Sequence, residues 1–212
     1  GAIMGLSEIL VEEIETAEVE HKKILITQLH QSAVNTYNLM DNLLTWSRSQ
    51  QGKMEYHPRK LILNNEIQEV LDIVCSSAES KKIACTANLG SLDNIEVWAD
   101  KNMLDTILRN LLTNAIKFTP AEGTIEISAS ELDNKYVEIT VRDTGVGMPP
   151  DKILNLFKID KTVSTPGTNN EKGTGLGLML VKEFVEKNKG TIYVESQLNK
   201  GTSIAFTIPK AD

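Results

Sequence analysis

Positive charge is in short supply: 22 Lys+Arg against 29 Asp+Glu in 212 residues give a formal net charge of -7. That is the wrong sign for a chain that wraps nucleic acid or lies on an anionic bilayer. Cysteine is scarcer still. With only Cys75 and Cys85 there is neither a disulfide framework nor a zinc cluster, the usage expected of a reducing, cytoplasmic compartment. Both thiols read as small buried hydrophobes. No run approaches the ~18 consecutive apolar residues of a membrane span, and no basic-then-apolar leader is present, so this segment is expected to make no membrane contact. The sequence also has no GxxxxGK(S/T) stretch, which excludes a P-loop. What is present is 41% hydrophobic residues, enough for one or two ordinary cores.

Proline is absent from Gly1 to Gly52, while apolar residues recur at helical spacing: Ile3, Leu6, Leu10, Ile14 and Ala17, then Ile26, Leu29, Ala33, Met40 and Leu43. The spacing predicts two long amphipathic helices. Ile26, Ala33 and Met40 fall seven apart with Leu29, Thr36 and Leu43 between them, the seam of a helical bundle. Two helices bury too little alone, so residues 1–55 are expected to form a dimerisation hairpin, half of a four-helix bundle made with a second copy. The alternative is a hairpin folded back on the rest of its own chain.

Gln50 to Arg59, with Gly52 and Pro58, reads as a linker to a second domain over residues 60–212. Strands are expected near 61–63, 83–89, 95–99, 124–130, 136–142, 192–196 and 203–208. Helices should run from Asn64 or Asn65 to about Lys82, from a cap at Asp100 through Phe118, and from about Gly175 to Lys189, ended by Gly190. The fold class is α+β: a helical hairpin, then an α/β sandwich of one mixed sheet with helices on one face.

Three places in the second domain carry chemistry. In NLLTNAIK, Asn110, Asn114 and Lys117 share one helix face at i, i+4 and i+7, offering amide oxygens to a hard cation and an ammonium to phosphate. In DTGVGMP, Asp143 ends a strand where glycines let the backbone turn and a ligand approach, and its carboxylate can accept from an exocyclic amine. Gly173, Thr174, Gly175, Leu176 and Gly177 open the last long helix, where free N–H groups at a positive helix end seat phosphates. No strand precedes that glycine run, so it is not a Rossmann fingerprint. It comes after the 15-residue polar stretch Lys158 to Lys172, expected to be a flap over the site with Lys158 placed to reach a terminal phosphate.

An asparagine helix, DxGxG, a polar lid and GxGxG, in that order, resemble the ATP-binding domain shared by histidine kinases, DNA gyrase, the Hsp90 chaperones and MutL. The likeness covers nearly all of Leu61 to Pro209. NLLTNAIKFTP is similar to that family's N box, DTGVGMP to its G1 box and KGTGLGL to its G2 box. The helical pair ending DNLLTWSRSQQGK is similar to the dimerisation hairpin of sensor histidine kinases, which favours that branch. The resemblance implies ATP and Mg²⁺ as cofactors, with Asn114 binding the metal and Asn110 lining the same site. Lys117 and Phe118 would flank the nucleotide, and Asp143 would take the adenine amino group between Gly145 and Gly147. Gly173, Thr174, Gly175, Leu176 and Gly177 would lie along the triphosphate, with Lys158 as a basic lid residue. Asn110 and Lys158 are the residues it implies for the catalytic step. It also implies a homodimer through the hairpin, transfer of the γ-phosphate to a histidine, and relay to the receiver domain of a response regulator.

Three departures from the family pattern matter. The phenylalanine pair before the lid is reduced to Phe157, which bears on how the lid packs. No HExRTPL-like phosphoacceptor pattern occurs; His21, His30 and His57 read as surface, interface and turn residues. Ala2 to Leu10 resemble the residues just after that pattern in the family, so the chain is expected to begin immediately past the acceptor and to bind ATP without autophosphorylating. Finally, Asn110 stands where the hydrolases of the family carry a glutamate, and a carboxamide cannot take a proton from water. An ATP-hydrolysing conformational switch and a non-catalytic nucleotide-binding scaffold are the alternatives.

Overall fold

The computed structural model describes residues 1–13, 16–52, 54–90, 95–158, 165–169, 171 and 175–211, apart from the side chains of Asn35, Asn38, Asp41, Trp46 and Gln50. The proline-free start forms helices α1 (Ala2–Glu12) and α2 (Val19–Gln50). Along the expected seam, Ile26, Met40 and Leu43 are 53%, 59% and 49% exposed. The apolar stripe of α2 is thus largely uncovered within one chain. Between hairpin and second domain the connection is pinned rather than loose: Met54 and Tyr56 pack on the core, and the His57 N–H donates to Asp100 Oδ2 at 2.9 Å.

The second domain runs β1 (Arg59–Ile62), α3 (Leu63–Ser80), β2 (Ala84–Asn88), β3 (Glu96–Ala99), α4 (Lys101–Phe118), β4 (Thr124–Glu131), β5 (Tyr136–Asp143), α5 (Pro150–Asn155), α6 (Gly177–Lys187), β6 (Ile192–Gln197) and β7 (Gly201–Pro209). Five strands form a mixed sheet in the order β2-β4-β5-β7-β6, with β2 parallel to β4 and the other neighbours antiparallel. Alternation along β5 buries Val137, Ile139 and Val141 and leaves the intervening residues half-exposed. Those side chains meet the apolar stripes of α3, α4 and α6, among them Ile67, Leu104, Leu108, Leu112, Val181 and Phe184. In addition to the expected sheet, β1 and β3 form a separate antiparallel ribbon.

Several boundaries differ from the sequence expectation for local reasons. Helix α3 starts at Leu63 without a side-chain cap, so Asn64 and Asn65 lie inside its first turn. It stops at Ser80 because Lys82 takes a positive φ of 57°. Helix α6 begins two residues late, since Gly175 has φ +76° and cannot belong to a helical turn. At its other end the left-handed residue is Lys189 rather than Gly190; glycine is required at 190 because a Cβ there would lie 1.9 Å from the Thr207 carbonyl oxygen. Helix α5 has no counterpart among the expected elements; Pro150 opens it at its first position. Both cysteines are half-buried at the edge of the core rather than inside it. Burial, with Cys75 as neighbour, pushes the Cys85 thiol up to about 11.

Candidate functional site

Asp143 is the last residue of β5. Its Oδ1 accepts the N–H of Gly145 at 2.8 Å and of Thr202 at 3.2 Å, while Oδ2 has no hydrogen-bond partner among the described residues. Burial raises the Asp143 pKa, and the two backbone donors only partly oppose it. The turn after it is drawn tightly around this acid. A Cβ on Gly145 would stand 2.4 Å from the Phe118 carbonyl oxygen, and the Val146 N–H donates to that same oxygen at 3.1 Å. Gly147 has φ +63°, and a Cβ on it would lie 2.0 Å from the Gln197 carbonyl oxygen. So DTGVG is pressed between the end of α4 and the β6–β7 turn, with one carboxylate oxygen of Asp143 left without a hydrogen-bond partner among the described residues.

The other end of the site is built on the exposed face of α4. Asn110 donates from Nδ2 to the Thr106 carbonyl at 2.8 Å, and its Oδ1 faces Gly177, where a Cβ would come within 2.5 Å. The asparagine helix and the start of α6 therefore touch. One turn on, Asn114 is half-exposed and its carboxamide has no hydrogen-bond partner among the described residues. Lys117 lays its ammonium 4.7 Å from the Phe118 ring centroid. Burial lowers its pKa, Lys152 nearby lowers it further, and Glu171 acts in the opposite sense. Leu176 precedes α6 and its carbonyl accepts the Leu180 N–H at 3.1 Å. Lys158 is exposed just beyond α5, with Nζ donating to Asn155 Oδ1 at 3.2 Å. Gly173 and Thr174 lie outside the described residues.

Of the residues singled out from sequence, the structure brings Asn110 against Gly177, Phe118 against Gly145, and Lys117 over Phe118. Sequence reasoning missed Thr202, whose contribution is a main-chain N–H. It also missed Lys81, Lys152 and Glu171, whose charges surround Lys117 or hold its backbone. Within the polar stretch after α5, expected to be a flap and described only in part, Thr168 donates its N–H to the Lys117 carbonyl at 3.0 Å, seating that residue on the end of α4.

A sequence model of the family described as histidine kinase-, DNA gyrase B-, and HSP90-like ATPase matches residues 99–212. The chain is 30% identical over 194 residues to the adaptive-response sensory kinase SasA of Synechocystis sp., covering 90% of this chain and 50% of that one. It spans between 25% and 50% of the length of three curated relatives that it matches. Full-length ShkA in complex with AMPPNP superposes with a TM-score of 0.74 at 25% identity, covering 99% of this chain and 42% of that one. Histidine kinase ThkA in complex with response regulator protein TrrA gives 0.72 at 18% identity, covering 100% and 58%. That last likeness speaks to the fold alone.

Proposed function

Since the chain belongs to the family of histidine kinase-, DNA gyrase B- and HSP90-like ATPases, we propose that residues 60–212 are the ATP-binding catalytic domain of a sensor histidine kinase and residues 1–55 its dimerisation hairpin. The observation that carries the kinase reading over a hydrolase is Asn110. Its Nδ2 is spent on its own helix and its Oδ1 rests against Gly177, so the site offers no carboxylate there to deprotonate water.

In this reading Asp143 accepts the adenine amino group through Oδ2, and Gly145 and Gly147 shape the pocket by letting the turn pack directly on the Phe118 and Gln197 carbonyls. Lys117 and Phe118 flank the nucleotide, and Gly175, Leu176 and Gly177, with Gly173 and Thr174, lie along the phosphates at the start of α6. Asn114 fits magnesium: it presents a neutral hard oxygen, and among the described residues no group of three or more His, Cys, Asp or Glu could cage an ion unaided. Such a donor set suits a cation that arrives with phosphate oxygens. Magnesium bound there would offset charge on the transferring phosphoryl group, and Lys158 would do the same from the lid side. The chain mainly orients its ligand, so a histidine imidazole brought in line with the γ-phosphorus completes the reaction, and the receiver domain of a response regulator is the next acceptor. Among the described residues no helix is long and apolar enough to cross a membrane.

Calorimetric titration with a non-hydrolysable ATP analogue tests this. The parent chain should saturate, magnesium should tighten binding, Asn114→Ala should lose the magnesium increment and Asp143→Ala should lose binding altogether. A parent chain that never saturates would remove the nucleotide reading. Steady release of inorganic phosphate from ATP would move the assignment to the hydrolysing switch.

A further inference from the structure

Lys81 lies just past α3 and has a side chain only 7% exposed. Its ammonium uses all its donors: to the Ile116 carbonyl at 2.8 Å, the Lys117 carbonyl at 3.1 Å and Glu171 Oε1 at 2.9 Å. Two of these acceptors are the last carbonyls of α4, the negative end of that helix. The third is a carboxylate from the polar stretch ahead of the glycine run. Glu171 in turn shapes its surroundings: Oε2 accepts the Asn169 N–H at 2.8 Å, and its carbonyl accepts the Gly167 N–H at 2.9 Å. The resulting turn sits on α4 through Thr168, whose Oγ1 donates to the Lys117 and Thr119 carbonyls at 3.2 and 3.1 Å. Gly167 lies so close that a Cβ would come 2.5 Å from Lys117 Cγ. Farther back, Lys152 Nζ donates to Thr165 Oγ1 at 2.9 Å.

Lys117 is therefore gripped on several sides, its carbonyl between Lys81 and Thr168 and its stem against Gly167. We propose that Lys81 and Glu171 are a positioning pair that clamps residues 165–169 and 171 onto the end of α4 and so fixes Lys117 for the phosphate end of the nucleotide. This rests on the nucleotide-binding reading above. Neither residue contacts the adenine side, which Asp143, Gly145 and Thr202 shape. Glu171 stays ionised in this contact. Burial raises its pKa, but the bond from Lys81 and the backbone N–H groups outweigh it and leave it lowered. Removing Glu171 leaves the buried Lys81 ammonium short of a counter-charge, and removing either partner leaves the turn without its clasp.

The test compares the parent with Glu171→Gln, Lys81→Met and the double variant, reading amide hydrogen exchange at Gly167 and Thr168 and affinities for an ATP analogue and for adenosine. Each single variant should expose both amides to faster exchange and weaken the ATP analogue roughly tenfold, while adenosine binds as before. The double variant should be no worse than the single ones, because the two act through one contact. Glu171→Gln serves if Lys81→Met fails to fold. Unchanged amide exchange, or equal weakening for adenosine and the ATP analogue, overturns the pair as a positioning device while leaving the nucleotide site intact. A parent that binds neither ligand overturns the nucleotide reading and the pair's role with it.

Discussion

Burial makes the Asp143 carboxyl harder to ionise, even with the N–H groups of Gly145 and Thr202 favouring the anion. The folded chain thus holds this proton more tightly than the unfolded one. Its favourable share of stability is complete below the ordinary value of 3.8 and is lost as pH rises through the raised folded value. At neutral pH, with the carboxyl ionised, that share is gone. Asp143→Asn keeps an Oδ1 acceptor for both backbone donors but places an amide donor where Oδ2 was. Nucleotide affinity should drop by about tenfold or more, with a melting temperature equal to the parent's or higher; lower melting with undiminished binding would contradict this. The parent's affinity should also decline on acidification, beginning above the pH at which an ordinary aspartate protonates. DxGxG made Asp143 legible, whereas Thr202 was not, because a main-chain donor has no side-chain signature. Gly201 was the available hint: it has φ +103° and would place a Cβ 1.9 Å from the Asp143 carbonyl oxygen.

Helix α4 was legible from end to end because cap, stripe and polar face agree. Asp100 Oδ1 accepts the N–H groups of Asn102 and Met103 at 3.0 and 3.2 Å, and eight residues of the apolar stripe are buried, from Met103 to Ile116. The structure adds what spacing could not show: Asp100 also receives the His57 N–H, and its own N–H donates to Asn188 Oδ1 at 2.9 Å. One side chain thus joins the start of α4 to the connection from the hairpin, and its main chain reaches the end of α6. Asp100→Ala should lower stability by about 2 kcal/mol, a lost cap plus the part-buried His57 N–H left without its acceptor. A urea midpoint shift without a change in slope would report it; an unmoved midpoint would deny Asp100 this role. Boundaries set by backbone rather than by side chains were harder to foresee. Lys82 and Lys189 take left-handed conformations with no residue preference to announce them, and Gly175 delays α6 although glycine looked like part of its first turn.

For the whole molecule, the seven-residue repeat of α2 predicted an apolar stripe, and the stripe is there, open to solvent at Ile26, Met40 and Leu43. What covers it is not written in one chain's sequence, since a bundle partner and a folded-back domain bury the same residues. Burying such side chains contributes ~1.5–3 kcal/mol each, so a second copy of the hairpin is the proposed cover. Substituting Met40→Glu together with Leu43→Glu should convert a dimer to a monomer in sedimentation while nucleotide affinity stays at the parent's value. A parent that sediments as a monomer would reject that cover. The sheet was legible as strands but not as an order, because pairing between distant segments leaves no local pattern. That order reaches into biosynthesis. β7 is the last strand of the sheet to be made, yet it lies between β5 and β6 and brings the Thr202 N–H to Asp143. A nascent chain halted before Gly201 has β5 open along one edge and Asp143 without one of its donors. On the nucleotide reading proposed above, the emerging polypeptide would complete the Asp143 end of its ATP site only once this strand has left the ribosome.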